Sequence, residues 1–282
     1  MAMTNNLSLG AAAALAVTLL CAGCASGPGP AVSLAPEAPP TSPAQVKEIK
    51  AGYLAGYLAR NELPNSLKLL PAPPTAGSAA LAADEDAYNT TRALRGTPRW
   101  TVAMRDANLL FPQAAASFAC TAGLPISQEA TPNLNMLLRR TLADAGLSTY
   151  AAKLTYKRMR PFVAHGDTSC TPAEEAELRS DGSYPSGHSA VGWAWALVLA
   201  ELVPERADAL LARGHEFGQS RVVCGVHWQS DVLAGRDMAA AAVARLHAHP
   251  MFTAQLAAAK VEIADVRQKG AQAAPECEAG AN

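Results

Sequence analysis

An excess of charge of either sign, alternating strand patterns and long apolar runs are all missing from this chain. Its 23 Lys and Arg stand against 24 Asp and Glu, a formal net charge of −1. Nucleic acids and acidic membranes attract proteins through a marked basic excess, so no nucleic-acid partner is expected and any affinity for anions must be local. After the leader no segment supplies the roughly 20 consecutive apolar residues that a membrane helix takes, which excludes a protein built from membrane spans. Val, Ile and Thr seldom alternate with polar residues, which argues against sheets. No internal repeat is apparent. No cluster of Asp and His has the character of a metal-ligand set, so no metal and no other cofactor is expected.

What the chain does have is apolar mass with helical punctuation. Half of its 282 residues are hydrophobic, enough for a substantial core. From Val46 onward, Ala- and Leu-rich segments separated by Pro and Gly predict an all-α fold, a single-domain helical bundle. Helices are expected over residues 46–60, 79–110 with a break near Gly96-Thr97-Pro98, 133–145, 148–159, 186–202, 206–223, 229–247 and 252–268. Ser148 and Pro204-Glu205 resemble helix starts, and Gly146, Pro161 and Gly225 resemble stops. Residues 191–203 are apolar nearly all round, which predicts a helix through the middle of the bundle.

The ends of the chain have a different composition. Residues 1–24 read as an export signal, since 9–24 are almost wholly small or apolar and too few to span a bilayer. Cys21-Ala22-Gly23-Cys24 looks like a bacterial lipobox and makes Cys24 the lipidation candidate, with Cys21 where Leu is usual and no Lys or Arg before the apolar run. Cleavage after Ala25, giving a free protein, is the alternative. The expected location is the periplasm, with the outer membrane reached only through that lipid. Residues 25–44 are too proline-rich to build a core and predict an extended tether. The folded domain spans 45–268, and 269–282 form a loose tail. Cys120, Cys170, Cys224 and Cys277 remain after the leader. Their even number in an oxidising compartment suggests disulfides, with three pairings open and buried free thiols at Cys120 and Cys224 as the alternative.

Three short strings carry chemistry. Lys153 and Arg160 stand seven apart, which on a continuous helix puts both on one stripe facing one anion; Arg offers a planar fork and Lys a point charge. A solvated basic face, with Lys157 and Arg158, is the alternative. In Tyr184-Pro185-Ser186-Gly187-His188-Ser189 the chain turns into an apolar helix, pointing free N–H groups and the positive end of the dipole outward. Gly187 allows close approach of an anion, Ser186 adds a donor, and His188 in the first turn can give a proton to a leaving oxygen. A capped helix with a structural His is the competing explanation. In the third string, after Ser220-Arg221, His227 and Asp231 stand four apart, so the carboxylate can fix one imidazole nitrogen and leave the other bare as a nucleophile. Taken by itself, that string also fits a surface His-Asp pair.

Together the pattern Lys-x6-Arg-Pro, Pro-Ser-Gly-His, Ser-Arg-x5-His-x3-Asp resembles the signature of the PAP2 phosphatase and vanadium haloperoxidase superfamily. The string Gly182-Ser183-Tyr184-Pro185-Ser186-Gly187-His188-Ser189 is similar to the signature of the bacterial class A non-specific acid phosphatases, with Ser189 where Thr is usual. The likeness runs from about residue 63 to 268. It implies a metal-independent hydrolase of phosphate monoesters in which Lys153, Arg160, Ser186, Gly187 and Arg221 hold the phosphate. His227 attacks to form a phosphohistidine, Asp231 orients it, and His188 protonates the leaving group. It also implies small-molecule phosphomonoester partners, inhibition by vanadate and a homo-oligomer. Two rivals are a vanadate-dependent haloperoxidase, whose vanadate these same residues would hold, and a non-catalytic surface lipoprotein that binds phosphorylated ligands. His165 is assigned to a loop that could line the cleft, His215, His247 and His249 to the surface, and Trp193, Trp195 and Trp228 to packing.

Overall fold

The computed structural model describes residues 38–270. The export signal, Cys24, most of the tether and the tail with Cys277 lie outside the described residues. At the start of the described chain, Ser42 caps a 3-10 turn, Pro43–Gln45. An antiparallel ribbon of β1 (Glu48–Lys50) and β2 (Tyr53–Leu54) follows, where the sequence predicted a helix over 46–60. The reason is tertiary: the N–H groups of Tyr57 and Leu58, which a helix would use internally, donate to Asp144 at 2.8 and 3.1 Å, and Arg140 donates to the Gly56 carbonyl at 2.9 Å.

The rest is helical. The short α1 (Ser66–Leu69) is capped by Asn65, α2 (Ala79–Arg92) by Ser78 and α3 (Pro98–Asp106) by Thr97, so the predicted break between the last two falls at Gly96-Thr97. Four helices were not predicted: α1, α4 (Gln113–Ala122) and two further short ones, α7 (Pro161–Ala164) and α8 (Glu175–Ser180). Next come α5 (Pro132–Ser148), α6 (Tyr150–Tyr156), α7 (Pro161–Ala164) and α8 (Glu175–Ser180). The chain ends with α9 (Gly187–Leu202), α10 (Ala207–Val223), α11 (Gln229–Leu246) and α12 (Pro250–Gln268). Gly146, a predicted stop, lies inside α5, and Pro161 opens α7 at its first position, where a missing N–H costs nothing.

Apolar all round, α9 runs through the centre and packs against α5, α10, α11 and α12. Trp195 of α9 is fully buried, donates its indole N–H to the Leu138 carbonyl at 2.9 Å, and meets Phe118 and Phe217 at centroid distances of 5.9 and 6.0 Å. Each such aromatic contact adds about 0.5–1.5 kcal/mol beyond area burial. Small residues let α11 come close to the start of α9: a Cβ on Gly235 would stand 2.4 Å from the Ser186 carbonyl oxygen. Cys170 and Cys224 form a disulfide with Cα atoms 4.6 Å apart, which ties the loop after α7 to the end of α10. Among the described residues no helix is long and apolar enough to cross a membrane.

Candidate active site

The start of α9, the end of α6, the segment before α7 and the turn between α10 and α11 meet at one end of the bundle. Lys153 and Arg160 do not share a helical stripe. The helix stops at Tyr156 because Lys157 adopts a left-handed conformation, φ 43°, and Arg160 is the N-cap of α7. The two cations converge all the same, on Asp181. Its Oδ2 lies 3.3 Å from Lys153 Nζ and 3.1 Å from Arg160 Nη2. Lys153 also donates to the Gly182 carbonyl at 2.6 Å. Arg160 Nε donates to the carbonyls of Leu178 and Asp181, and Nη1 to that of Val226. Burial, then the field of Arg160, pulls Lys153 down to about 8.

Ser186 caps α9, its Oγ accepting from the Ser189 N–H at 3.2 Å, and its own N–H donates to the Asp231 carbonyl at 2.9 Å. It is fully buried behind the cavity wall, whereas Gly187 and His188 line the cavity. His188 Nε2 lies 2.9 Å from the Ala107 carbonyl oxygen. A carbonyl only accepts, so the proton sits on Nε2 and Nδ1 is the atom able to take up and hand over a second one. Burial, then the neighbouring Arg221 guanidinium, holds this imidazole well below the usual histidine range.

Arg221, at the end of α10, is fully buried, and none of its three guanidinium nitrogens has a hydrogen-bond partner among the described residues. Desolvation, with the field of Arg160, pulls it down to about 10, partly offset by Glu174 and Asp106. A buried fork with every donor unmet is costly unless an anion completes it.

After α10, Gly225 turns the chain with φ 76°, a conformation that strains any side chain. That turn delivers His227, whose Nε2 lies 3.1 Å from Arg160 Nη1 and whose Nδ1 lies 3.4 Å from Asp231 Oδ2. Guanidinium has no acceptor, so Nε2 must be the bare nitrogen and Nδ1–H the one turned to the carboxylate. Burial and the fields of Arg160, Lys153 and Arg221 keep His227 well below the ordinary histidine range, and burial raises Asp231. Oδ2 of Asp231 also accepts from the Trp228 N–H at 2.8 Å.

One cavity of about 490 Å³ is lined by Lys153, Arg160, Gly187, His188, Arg221 and His227, with an apolar wall that includes Tyr53, Leu109, Leu142, Leu147 and Tyr150. Ser186 and Asp231 support this lining from behind. His165 is elsewhere, paired with Glu85 at 2.8 Å and stacked on Tyr88 at 4.3 Å. The sequence reading missed Asp181, and it missed Arg158 and Asp84, which are joined to Asp231 by hydrogen bonds. Arg158 lies within the first string, but no period distinguishes it from its exposed neighbour Lys157. Among the described residues no group of three or more His, Cys, Asp or Glu could hold a metal ion.

Residues 135–253 match the model of the PAP2 superfamily. The chain is 46% identical over 213 residues to the non-specific acid phosphatase of Providencia stuartii, covering 75% of this chain and 86% of that one. It is 44% identical over 220 residues to the non-specific acid phosphatase of Salmonella typhimurium, covering 78% and 88%. A solved structure, the first bacterial vanadium-dependent iodoperoxidase, is similar at a TM-score of 0.46 and 19% identity, covering 72% of this chain and 60% of that one. With the three strings gathered around one cavity and the likeness to the two acid phosphatases running over most of its length, the chain belongs to the PAP2 superfamily and, within it, to the class A non-specific acid phosphatases.

Proposed function

We propose that the protein is an acid phosphatase that hydrolyses small phosphate monoesters of broad range through a phosphohistidine, with no metal ion. The observation that carries this is the unpartnered, fully buried guanidinium of Arg221 in the same cavity as His188 and His227. An oxyanion is the ligand that would satisfy such a group. The non-specific acid phosphatases to which the chain is similar support the reaction class.

In this mechanism the ester phosphate takes the cations Lys153, Arg160 and Arg221 and the N–H groups at the start of α9, which the Ser186 hydroxyl caps from behind. Arg160 Nη1 passes from His227 Nε2 to a phosphate oxygen, which frees the lone pair of Nε2. Nε2 then bonds to phosphorus in line as the P–O bond to the leaving group breaks, and His188 gives its Nδ1 proton to the departing oxygen. Asp231 stabilises the positive charge that develops on His227. Water then attacks the phosphohistidine, losing its proton to His188, and phosphate leaves. Positioning and fixed positive charge supply most of the rate in phosphoryl transfer, and three cations supply that charge here.

We further propose export to the periplasm, with Cys24 as a lipid anchor and a proline-rich tether behind it. The leader composition supports this, as does the Cys170–Cys224 disulfide, which suits an oxidising compartment. Assembly into a homo-oligomer belongs to the same proposal. Mass spectrometry of the mature N-terminus separates an acylated Cys24 from a free Ser26.

The main test is a hydrolysis screen of nucleotides, sugar phosphates and aryl phosphates between about pH 4 and pH 8, with EDTA present. Turnover that survives EDTA, is inhibited by vanadate and is lost in His227→Ala is the expected result. A His227→Ala variant with more than a few per cent of wild-type turnover would remove the nucleophile assignment. Bromide oxidation by the vanadate-loaded protein with peroxide would favour the haloperoxidase instead.

A further inference from the structure

Arg158 does not line the cavity, yet it is joined to the site by hydrogen bonds. Its Nη1 donates to Asp231 Oδ1 and to Ser230 Oγ, each at 2.7 Å, and its Nη2 donates to Asp84 Oδ2 at 2.7 Å. Asp84, on α2, is itself held, accepting from the Ser230 N–H at 2.8 Å and from Ser230 Oγ at 2.6 Å. The side chains of Arg158, Asp84 and Asp231 are 9%, 2% and 0% exposed. A continuous buried path therefore runs from Asp84 through Arg158 and Asp231 to Nδ1 of His227. Asp231 divides its oxygens along it, Oδ1 to Arg158 and Oδ2 to Trp228 N–H and His227.

We infer that Arg158, oriented by Asp84, is a positioning residue for the nucleophile: it clamps Oδ1 of Asp231, and so keeps Oδ2 on His227 Nδ1 and the attacking lone pair on Nε2. This rests on the reading of His227 as nucleophile. The physical need is clear from burial. An isolated carboxylate in this place would take up a proton or turn towards another donor, and a protonated Asp231 no longer selects the Nδ1–H tautomer. The charged and titratable groups whose fields reach Asp231 are Arg158 and His227 beside it, Lys153 and Arg160 across the cavity, and Tyr184 before α9. Of these, only Arg158 and His227 make side-chain ion-pair contacts with it. The Trp228 N–H and the Ser183 hydroxyl also hold Asp231 but carry no charge, so Arg158 is the permanent cation in contact with it among the described residues.

The test compares Arg158→Met, Arg158→Lys and Asp84→Asn with wild type in kcat and KM across pH, with circular dichroism to confirm folding. Arg158→Met is expected to lose on the order of 10- to 100-fold in kcat, as losses of groups orienting a functional His do, with KM changed by less than about twofold because phosphate never touches Arg158. Its acid limb of kcat should move to higher pH, since Asp231 without its cation binds a proton more readily. Arg158→Lys should recover part of kcat and part of the limb shift, and Asp84→Asn should lower kcat less than Arg158→Met. If Arg158→Met does not fold, the intermediate limb position of Arg158→Lys and the kcat of Asp84→Asn decide. Folded variants with a wild-type acid limb, whether or not kcat falls, overturn the inference and leave only a structural network. A wild-type protein inactive on every phosphomonoester overturns instead the reading beneath it.

Discussion

Arg221 is the residue where folding and function oppose each other most plainly. Burying a guanidinium without acceptors destabilises the empty protein, and an oxyanion accepting bidentately from the fork would offset that penalty. Arg221→Ala is therefore expected to lose about 2–5 kcal/mol of transition-state binding, roughly 30-fold or more in kcat/KM, measured by steady-state kinetics. His188 supports a different contrast. With its proton donor gone, His188→Ala should lose far more turnover on an alkyl phosphate than on p-nitrophenyl phosphate, whose leaving group departs without protonation. The pH dependence follows from the same residues. On the proposed mechanism His188 must be protonated to act, and its value lies well below the ordinary one, so kcat should fall as pH rises and peak on the acid side of neutrality. Lys153, pulled down to about 8, is charged below that value and neutral above it, so KM should climb as pH passes through it. Substrate-saturation curves across pH check both signs.

At the scale of elements, the site depends on how closely α11 approaches the start of α9. Gly235→Ala places a methyl 2.4 Å from the Ser186 carbonyl, a contact with backbone that no flexible side chain can relieve. The expected outcome is a loss of about 1–3 kcal/mol in stability from overpacking, together with lower kcat, because Ser186, Gly187 and His188 move with the end of α9. Chemical denaturation and kinetics on the same sample test the link. The disulfide does related work at the end of α10. It closes 54 residues, worth about 4 kcal/mol by the chain-entropy estimate, and the Cys170 N–H donates to the Cys224 carbonyl next to the turn that carries His227.

For the whole molecule, a near-zero net charge leaves the proposed anion affinity to the buried cations that line the cavity. Phosphate should therefore stabilise the fold by linkage, about 2.7 kcal/mol at a hundred times its dissociation constant. Acid should make that support more necessary. In the empty protein both site imidazoles are depressed, so below about pH 6.5 the unfolded chain binds protons that the folded one does not, and stability falls as pH falls. Asp144, raised to about 6 by burial, works in the opposite sense between that value and its ordinary 3.8, where the folded state is the one that binds the extra proton. Asp231, also raised by burial, works in the same sense as Asp144, against two imidazoles held well below their ordinary range. Thermal unfolding with and without phosphate is expected to show a larger phosphate effect at about pH 5 than at about pH 7, and an equal effect at both would contradict it.

Helical class, the central place of the α9 segment and the order of the three strings were legible along the chain, because caps, a 3.6-residue period and an unbroken apolar run are local properties. The gathering of Lys153 with Arg160 was legible as a result but not as a route: a helical stripe was expected, and a left-handed turn at Lys157 achieves it. The ribbon at β1 and β2 and the burial of Arg158 were not legible at all. In both cases a distant carboxylate decides, Asp144 by accepting the backbone N–H groups of 57 and 58, and Asp84 with Asp231 by accepting the guanidinium. Sequence fixes which groups a segment can offer to hydrogen bonds and charge pairs; only the packed chain selects the partner, since burial makes an unpaired polar group too costly to leave.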